Sequence, residues 1–345
     1  MEVFARDLKP SQKVAGAFRF VTASLAGYPT LVNLEVTQLC NARCDFCRYP
    51  HTKSEEALDD YVPVIRKLRP SFVTFTGGEP LLRPDLERLI LDTRRAFPSL
   101  YIGLVTHGAM LTVERGRKLW GSGLNQIAVS LDYLDERHDA ARGIPGLTKR
   151  ILRTAPQLVA LGVDLVIQAV IKTDNIDGIT DVVDWAAGIG ARVSLSAYTA
   201  AKNGNDAHNV DPLQQDALRR LIDEVLRLKS LGAPISSSSY YLQRIPEYFE
   251  QGGIGECPSG KKFVTVNPAG YVQRCSEITD GRHYTEWEPD YFGPTDCGAC
   301  WVPCRGETQA PITFERIKQV AVQYTASLRK QPTATLPEPA PNGGT

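Results

Sequence analysis

Six short β-rich runs, spaced so that a helix fits between each pair, constrain the fold of this 345-residue chain more than any other feature. They are LVNLEVTQL (31–39), FVTFTGG (72–78), YIGLVTHG (101–108), QIAVSLD (126–132), DLVIQAVIK (164–172) and RVSLSAY (192–198). Each is rich in Val, Ile, Leu and Thr and mostly continuous in its apolar character, the pattern of parallel strands covered by helices. Between them, RPDLERLILDTRRAF (83–97) puts Leu86, Leu89, Ile90 and Phe97 on one helical face, with Pro84 near its start. After the last run, residues 211–232 read as a helix with Asp211 as N-cap, Pro212 at N1, Gln214 at N3 and Gly232 as its stop. Six βα units with right-handed crossovers predict an α/β architecture, either an open barrel or a doubly wound sheet.

Beyond residue 233 the helical period fades into Ser-, Gly- and Cys-bearing segments and returns at TFERIKQVAVQYTASLRK (313–330), so a small second domain is expected there. The Pro- and Gly-rich end QPTATLPEPAPNGGT (331–345) has almost nothing to bury and is expected to be disordered. The start, MEVFARDLKPSQKVAGAFRF, lacks the apolar core of a signal peptide, and no run of about 18 apolar residues offers a membrane span. A cytoplasmic location is therefore expected. Lys+Arg and Asp+Glu both number 39, which excludes a global basic field for nucleic acid or anionic membrane and leaves a small, roughly neutral partner as the expectation.

The eight cysteines fall into two short-spaced groups in a large chain without a secretory signal, which favours metal binding over disulfides. Cys40, Cys44 and Cys47 follow the first run as C-x3-C-x2-C. A structural zinc site wants four ligands, as does a [4Fe–4S] cluster held wholly by protein. Three thiolates leave one position open, which suits a reactive centre and not a structural one.

CNARCDFC, with TGGEP (76–80) and SLDYLDERHDAARGIPG (130–146), resembles the radical S-adenosylmethionine (SAM) superfamily. The resemblance implies an α/β fold with a partial (β/α)6 TIM-like barrel, here residues 31–232, preceded by an extension at 1–30. It implies a [4Fe–4S] cluster on Cys40, Cys44 and Cys47, with SAM at the free iron and an external electron donor such as flavodoxin or ferredoxin. Reductive cleavage of SAM then yields a 5′-deoxyadenosyl radical that abstracts hydrogen from substrate. By the same resemblance Phe46 lies near the adenine, Gly77 and Gly78 admit the methionine amino group, and Glu79 accepts from that ammonium. Ser130 and Arg142 are implied for the SAM carboxylate. Thr106, His107 and Gly108 end the third run where relatives often carry TNG, so His107 stands beside the SAM site in place of an Asn. Taken alone, the Gly77–Gly78 pair is as well explained by a turn, and Ser130 and Asp132 by a helix cap. His51, His208 and His283 read as surface or packing positions.

The second group is Cys257, Cys275, Cys297, Cys300 and Cys304. FVTVNPAGYVQRC reads as a β-hairpin turning at NPAG, with CGACWVPC completing a metal knuckle. The pattern C-x12-G-x4-C followed by C-x2-C resembles the SPASM and shorter twitch extensions of radical SAM enzymes. It implies a small Cys-rich α+β domain at 233–310, a C-terminal helix at 311–330 and one auxiliary [4Fe–4S] cluster. Cys257, Cys275 and Cys297 with Cys300 are the preferred ligands, Cys304 being able to replace either of the later pair; four thiolates on zinc are the alternative. Only about thirty residues precede the first run, too few for an independent leader-binding core, so a small-molecule substrate is expected. Oxidation, rearrangement and C–C bond formation all remain open. The rivals are a peptide-modifying maturase and, from another class, a non-catalytic cluster or zinc protein.

Overall fold

The computed structural model describes residues 27–49, 56–311 and 313. The expected N-terminal extension lies almost wholly outside these residues, as do His51, the expected C-terminal helix but for its first residues, and the tail.

The six runs form strands β1 (Leu31–Thr37), β2 (Phe72–Gly77), β3 (Tyr101–Thr106), β4 (Gln126–Ser130), β5 (Leu165–Ile171) and β6 (Arg192–Ala197). All five neighbouring pairs among them are parallel. Their order in the sheet is the order in the chain. A doubly wound sheet reverses its strand order at a switch point, so the unreversed order selects the open, partial barrel.

Helices α1 (Val62–Leu68), α2 (Leu86–Ala96), α3 (Val113–Gly121), α4 (Glu136–Arg142), α5 (Leu147–Ala160) and α6 (Ile179–Gly188) connect the strands. On α2 the expected face is buried at Leu86, Leu89 and Ile90. Burying each such side chain stabilises by roughly 1.5–3 kcal/mol. After β6, Asp211 makes the expected capping box with Gln214, but the first turn, Pro212–Gln214, is a 3₁₀ turn that leads into α7 (Gln215–Ser230). Gly232 follows with φ +96°, the left-handed stop foreseen for it.

Along the barrel strands the two faces differ. Val32, Leu34 and Val36 of β1 are fully buried beneath the helices, whereas Asn33 and Glu35 look into the barrel. Thr74 and Thr76, Gln126 and Ser130, Gln168, and Ser194 and Ser196 repeat that alternation on β2, β4, β5 and β6. These polar side chains share the interior face with Tyr101, Val105, Ala128, Val166 and Val170, where a closed eight-stranded barrel packs branched apolar side chains.

The C-terminal segment adds α8 (Ser239–Gln243), α9 (Ile245–Gln251), the expected hairpin β7 (Phe263–Val266) and β8 (Tyr271–Gln273), a short β9 (Gly281–His283), and α10 (Pro303–Gln309). Asn267 and Gly270 close the hairpin turn through a 3.0 Å backbone hydrogen bond. β7 pairs in parallel with β1, Leu31 opposite Phe263, so one nine-stranded sheet runs on into the Cys-rich segment. Val264, Val266, Val272, Trp287 and Trp301 belong to the same apolar core as the barrel strands. Among the described residues no helix is long and apolar enough to cross a membrane.

Candidate active site

The loop carrying Cys40, Cys44 and Cys47 leaves the end of β1 and is held on three sides. From β2, Gly78 N–H donates to the Thr37 carbonyl and Glu79 N–H to the Leu39 carbonyl, each at 2.8 Å. A Cβ on Gly77 would sit 2.0 Å from the Thr37 oxygen, and one on Gly78 would sit 2.2 Å from that of Leu39. Gly77 also has φ +131°, which favours glycine. The close approach that these glycines make within the chain is to the cysteine loop itself. From the end of α4, the Arg142 carbonyl accepts from Arg43 N–H at 2.8 Å. Across the mouth, Asn203 and Asn205 side chains donate to the Asp45 carbonyl at 2.6 and 3.3 Å, and His208 Nε2 lies 2.9 Å from the Asp45 carboxylate.

Glu79 makes its contacts within the chain at the same junction. It is fully buried, and its carboxylate accepts from Leu81 N–H (3.0 Å), Thr106 Oγ1 (2.7 Å) and His107 N–H (2.9 Å). His107 Nδ1 accepts from Ala109 N–H at 3.1 Å, so the ring proton belongs on Nε2, which reaches Asn41 Oδ1 at 2.9 Å and Glu79 Oε2 at 3.1 Å. Burial holds His107 below its ordinary pKa despite the nearby Glu79. Thr106, His107 and Glu79 thus form a buried brace between β2, β3 and Asn41 of the cysteine loop, with every carboxylate position occupied from within the chain.

Arg142 sits where a ligand can use it. It donates to Asp132 Oδ2 at 2.9 Å, stands 3.9 Å from Cys44 Sγ, and lies 5.2 Å from the centre of the Phe46 ring. Its Nε is buried without a hydrogen-bond partner. Sequence reasoning missed most of the network behind it. Lys172, 1% exposed at the end of β5, approaches Asp132 to 3.6 Å and the Tyr133 ring to 4.6 Å. Burial alone would raise the Asp132 carboxyl, but Arg142 and Lys172 together hold it below its ordinary range. The signal that could have exposed this network is a Lys closing an otherwise apolar strand run, since a buried ammonium needs a partner. Glu35 was passed over as well: Tyr49 donates to it at 2.5 Å, and burial raises its pKa.

All eight cysteines are free thiols. In the first group burial pushes Cys40 up to about 11 and raises Cys44, the latter against the pull of Arg142. Each feels the charge of its neighbours in the loop. In the second group burial raises Cys275 to about 11, Cys300 to about 12, and Cys304 further. Cys304 feels Cys300, Cys275 and Cys257, and Cys300 feels Cys257, Cys275 and Cys297. No described group of three or more His, Cys, Asp or Glu is placed to hold a single metal ion.

A cavity of about 820 Å³ fills the barrel. All five C-terminal thiols line it, and Phe46 and Arg142 bring it against the first thiol group. Gly77 and Ser130 line it; Gly78, Glu79, Thr106 and His107 stand behind its wall. Arg48 ties the two cysteine loops together, reaching Glu277 at 3.3 Å and the Ser276 carbonyl.

Residues 34–186 match the family described as the Radical SAM superfamily. The AdoMet-dependent heme synthase of Nitratidesulfovibrio vulgaris is 24% identical over 281 residues, covering 73% of this chain and 75% of that protein. The PqqA peptide cyclase of Streptomyces rochei is 29% identical over 262 residues, covering 72% and 70%. Among solved structures, Streptococcus suis SuiB bound to S-adenosylmethionine superposes with a TM-score of 0.60 at 18% identity over 84% of this chain and 69% of that one. That likeness is one of fold.

Proposed function

The chain is an enzyme of the radical SAM superfamily, and from that premise we propose that it acts on a polar small molecule held between a SAM-binding cluster and one auxiliary iron–sulfur cluster. The observation that carries this reading is the barrel cavity, lined by all five C-terminal thiols and bounded by Phe46 and Arg142 at the first group. Its volume of about 820 Å³ lies within the range of small-molecule sites, roughly 300–1,000 Å³. The hydroxyl and amide groups of Ser130, Gln168, Ser194 and Ser196 suit a polar occupant.

In this reading Cys40, Cys44 and Cys47 hold the first [4Fe–4S] cluster, and thiols of the second group hold the auxiliary one. Cluster and SAM, when bound, supply one-electron cleavage of a sulfonium and so the abstraction of a hydrogen atom. The protein's part is to bind, orient and exclude water. Arg142 offers its unpartnered Nε to the SAM carboxylate, with Ser130 as a nearby donor. Asp132 and Lys172 keep that guanidinium in place, and Phe46 offers its ring to the adenine. Residues 31–232 then form the catalytic barrel and 233–310 a twitch/SPASM-like module, with reducing electrons from a flavodoxin- or ferredoxin-like donor in the cytoplasm. Likeness to the PqqA peptide cyclase favours a second reading, a peptide-modifying maturase.

Anaerobic reconstitution with iron, sulfide, SAM and dithionite tests the proposal. We expect release of 5′-deoxyadenosine, about eight irons per chain, and loss of that release in Cys44→Ala. Undiminished release from Cys44→Ala would remove the first site. About four irons with one zinc would replace the auxiliary cluster by a zinc knot. Accumulation of an unmodified peptide in deletion cells, with small molecules unchanged, would favour the maturase.

A further inference from the structure

Arg305 follows Cys304 on α10 and is fully buried. Its guanidinium donates to the Cys300 carbonyl at 2.7 Å, to the Gly255 carbonyl at 2.7 Å and to the Ile254 carbonyl, while Nε reaches Gln309 Oε1 at 3.4 Å. It therefore clamps together the segment entering Cys257, the Cys300 turn and the helix that carries Cys304. It also lies 5.5 Å from the centre of the Trp301 ring.

We propose that Arg305 is the positioning residue of the second thiol site, clamping together through main-chain carbonyls the segments that carry Cys257, Cys300 and Cys304. This rests on the auxiliary iron–sulfur site proposed above. The clamp joins the three Cys-bearing segments through main-chain carbonyls, so it assembles the site before any metal arrives. Arg94 supplies a built-in comparison: it is a similarly buried guanidinium that donates to the Gly123 and Leu100 carbonyls at 2.9 and 2.7 Å, inside the barrel wall and away from the second thiol group.

The test uses the full chain with Cys40, Cys44 and Cys47 all replaced by Ala, so that iron reports the second site alone. This parent should hold about four irons. In that background Arg305→Lys cannot bridge three carbonyls, and should lose iron to a chelator about tenfold faster or more. Arg305→Gln, which reaches fewer carbonyls still, should lose it at least as fast. Arg94→Lys should lower thermal stability while leaving iron retention as in the parent. Parent-like iron loss in the Arg305 variants would overturn the proposal, as would equally fast loss from Arg94→Lys. Should one Arg305 variant fail to fold, the other's iron-loss rate decides. A parent that binds no iron would remove the auxiliary site itself, and the role of Arg305 with it.

Discussion

His138 shows how much one buried residue can make the stability of this enzyme depend on pH. It is fully buried on α4, its Nδ1 accepting from Asp132 N–H at 3.2 Å. Burial, and then the charge of Arg142, push its pKa down to about 4 from an ordinary 6.5. The unfolded chain takes a proton near 6.5 and the folded one only near 4, so acidification across that window favours unfolding. The loss is about 1.4 kcal/mol per unit, on the order of 3 kcal/mol in all. We predict that the urea midpoint of the cluster-free protein falls as pH drops through this window, and that His138→Gln flattens the dependence. Equal slopes for the two proteins would sink the assignment. The sequence offered no hint of this, because a lone His in DERHDAAR reads as a solvated helix position.

At the scale of elements, the junction between the end of β2 and the cysteine loop is the most constrained contact in the barrel. A methyl group on Gly78 would meet the Leu39 carbonyl at 2.2 Å, and that carbonyl already accepts from Glu79 N–H. Backbone on both sides cannot yield as a side-chain tip would. Gly78→Ala should therefore destabilise by about 1–3 kcal/mol and displace Cys40, lowering iron per chain toward about half after reconstitution. Full iron content at an unchanged urea midpoint would contradict it. The elements themselves were legible: all six barrel strands, the α2 face and the Asp211 capping box follow from local patterning. What patterning missed was the second face of the strands. Thr, Ser, Asn and Gln at alternate positions break the apolar runs too lightly to be read as the wall of a polar cavity, and only the barrel's curvature turns them onto one surface.

For the whole molecule, the decisive contact is β7 against β1, because it makes the barrel and the Cys-rich segment one sheet over one core. A strand hydrogen-bonded on both sides cannot open without unpairing its neighbours, so the cluster-free chain should unfold in urea as a single transition by fluorescence and circular dichroism alike. Two separated transitions would show that the C-terminal module folds independently. The sequence by itself determined the fold class and the chemistry: βα alternation is local, and a C-x3-C-x2-C loop at a strand end with TGGEP on the next strand needs no distant partner to be recognised. The tertiary structure alone decided which residues share a site. The five C-terminal thiols line the same cavity as Phe46 of the first cysteine loop, more than two hundred positions away, because β7 adds beside β1. Glu79 and the Gly77–Gly78 pair support the cysteine loop because β2 and the β1 exit pack backbone to backbone. Strand pairing and close packing act between residues far apart in the chain, and no local pattern in the sequence records them.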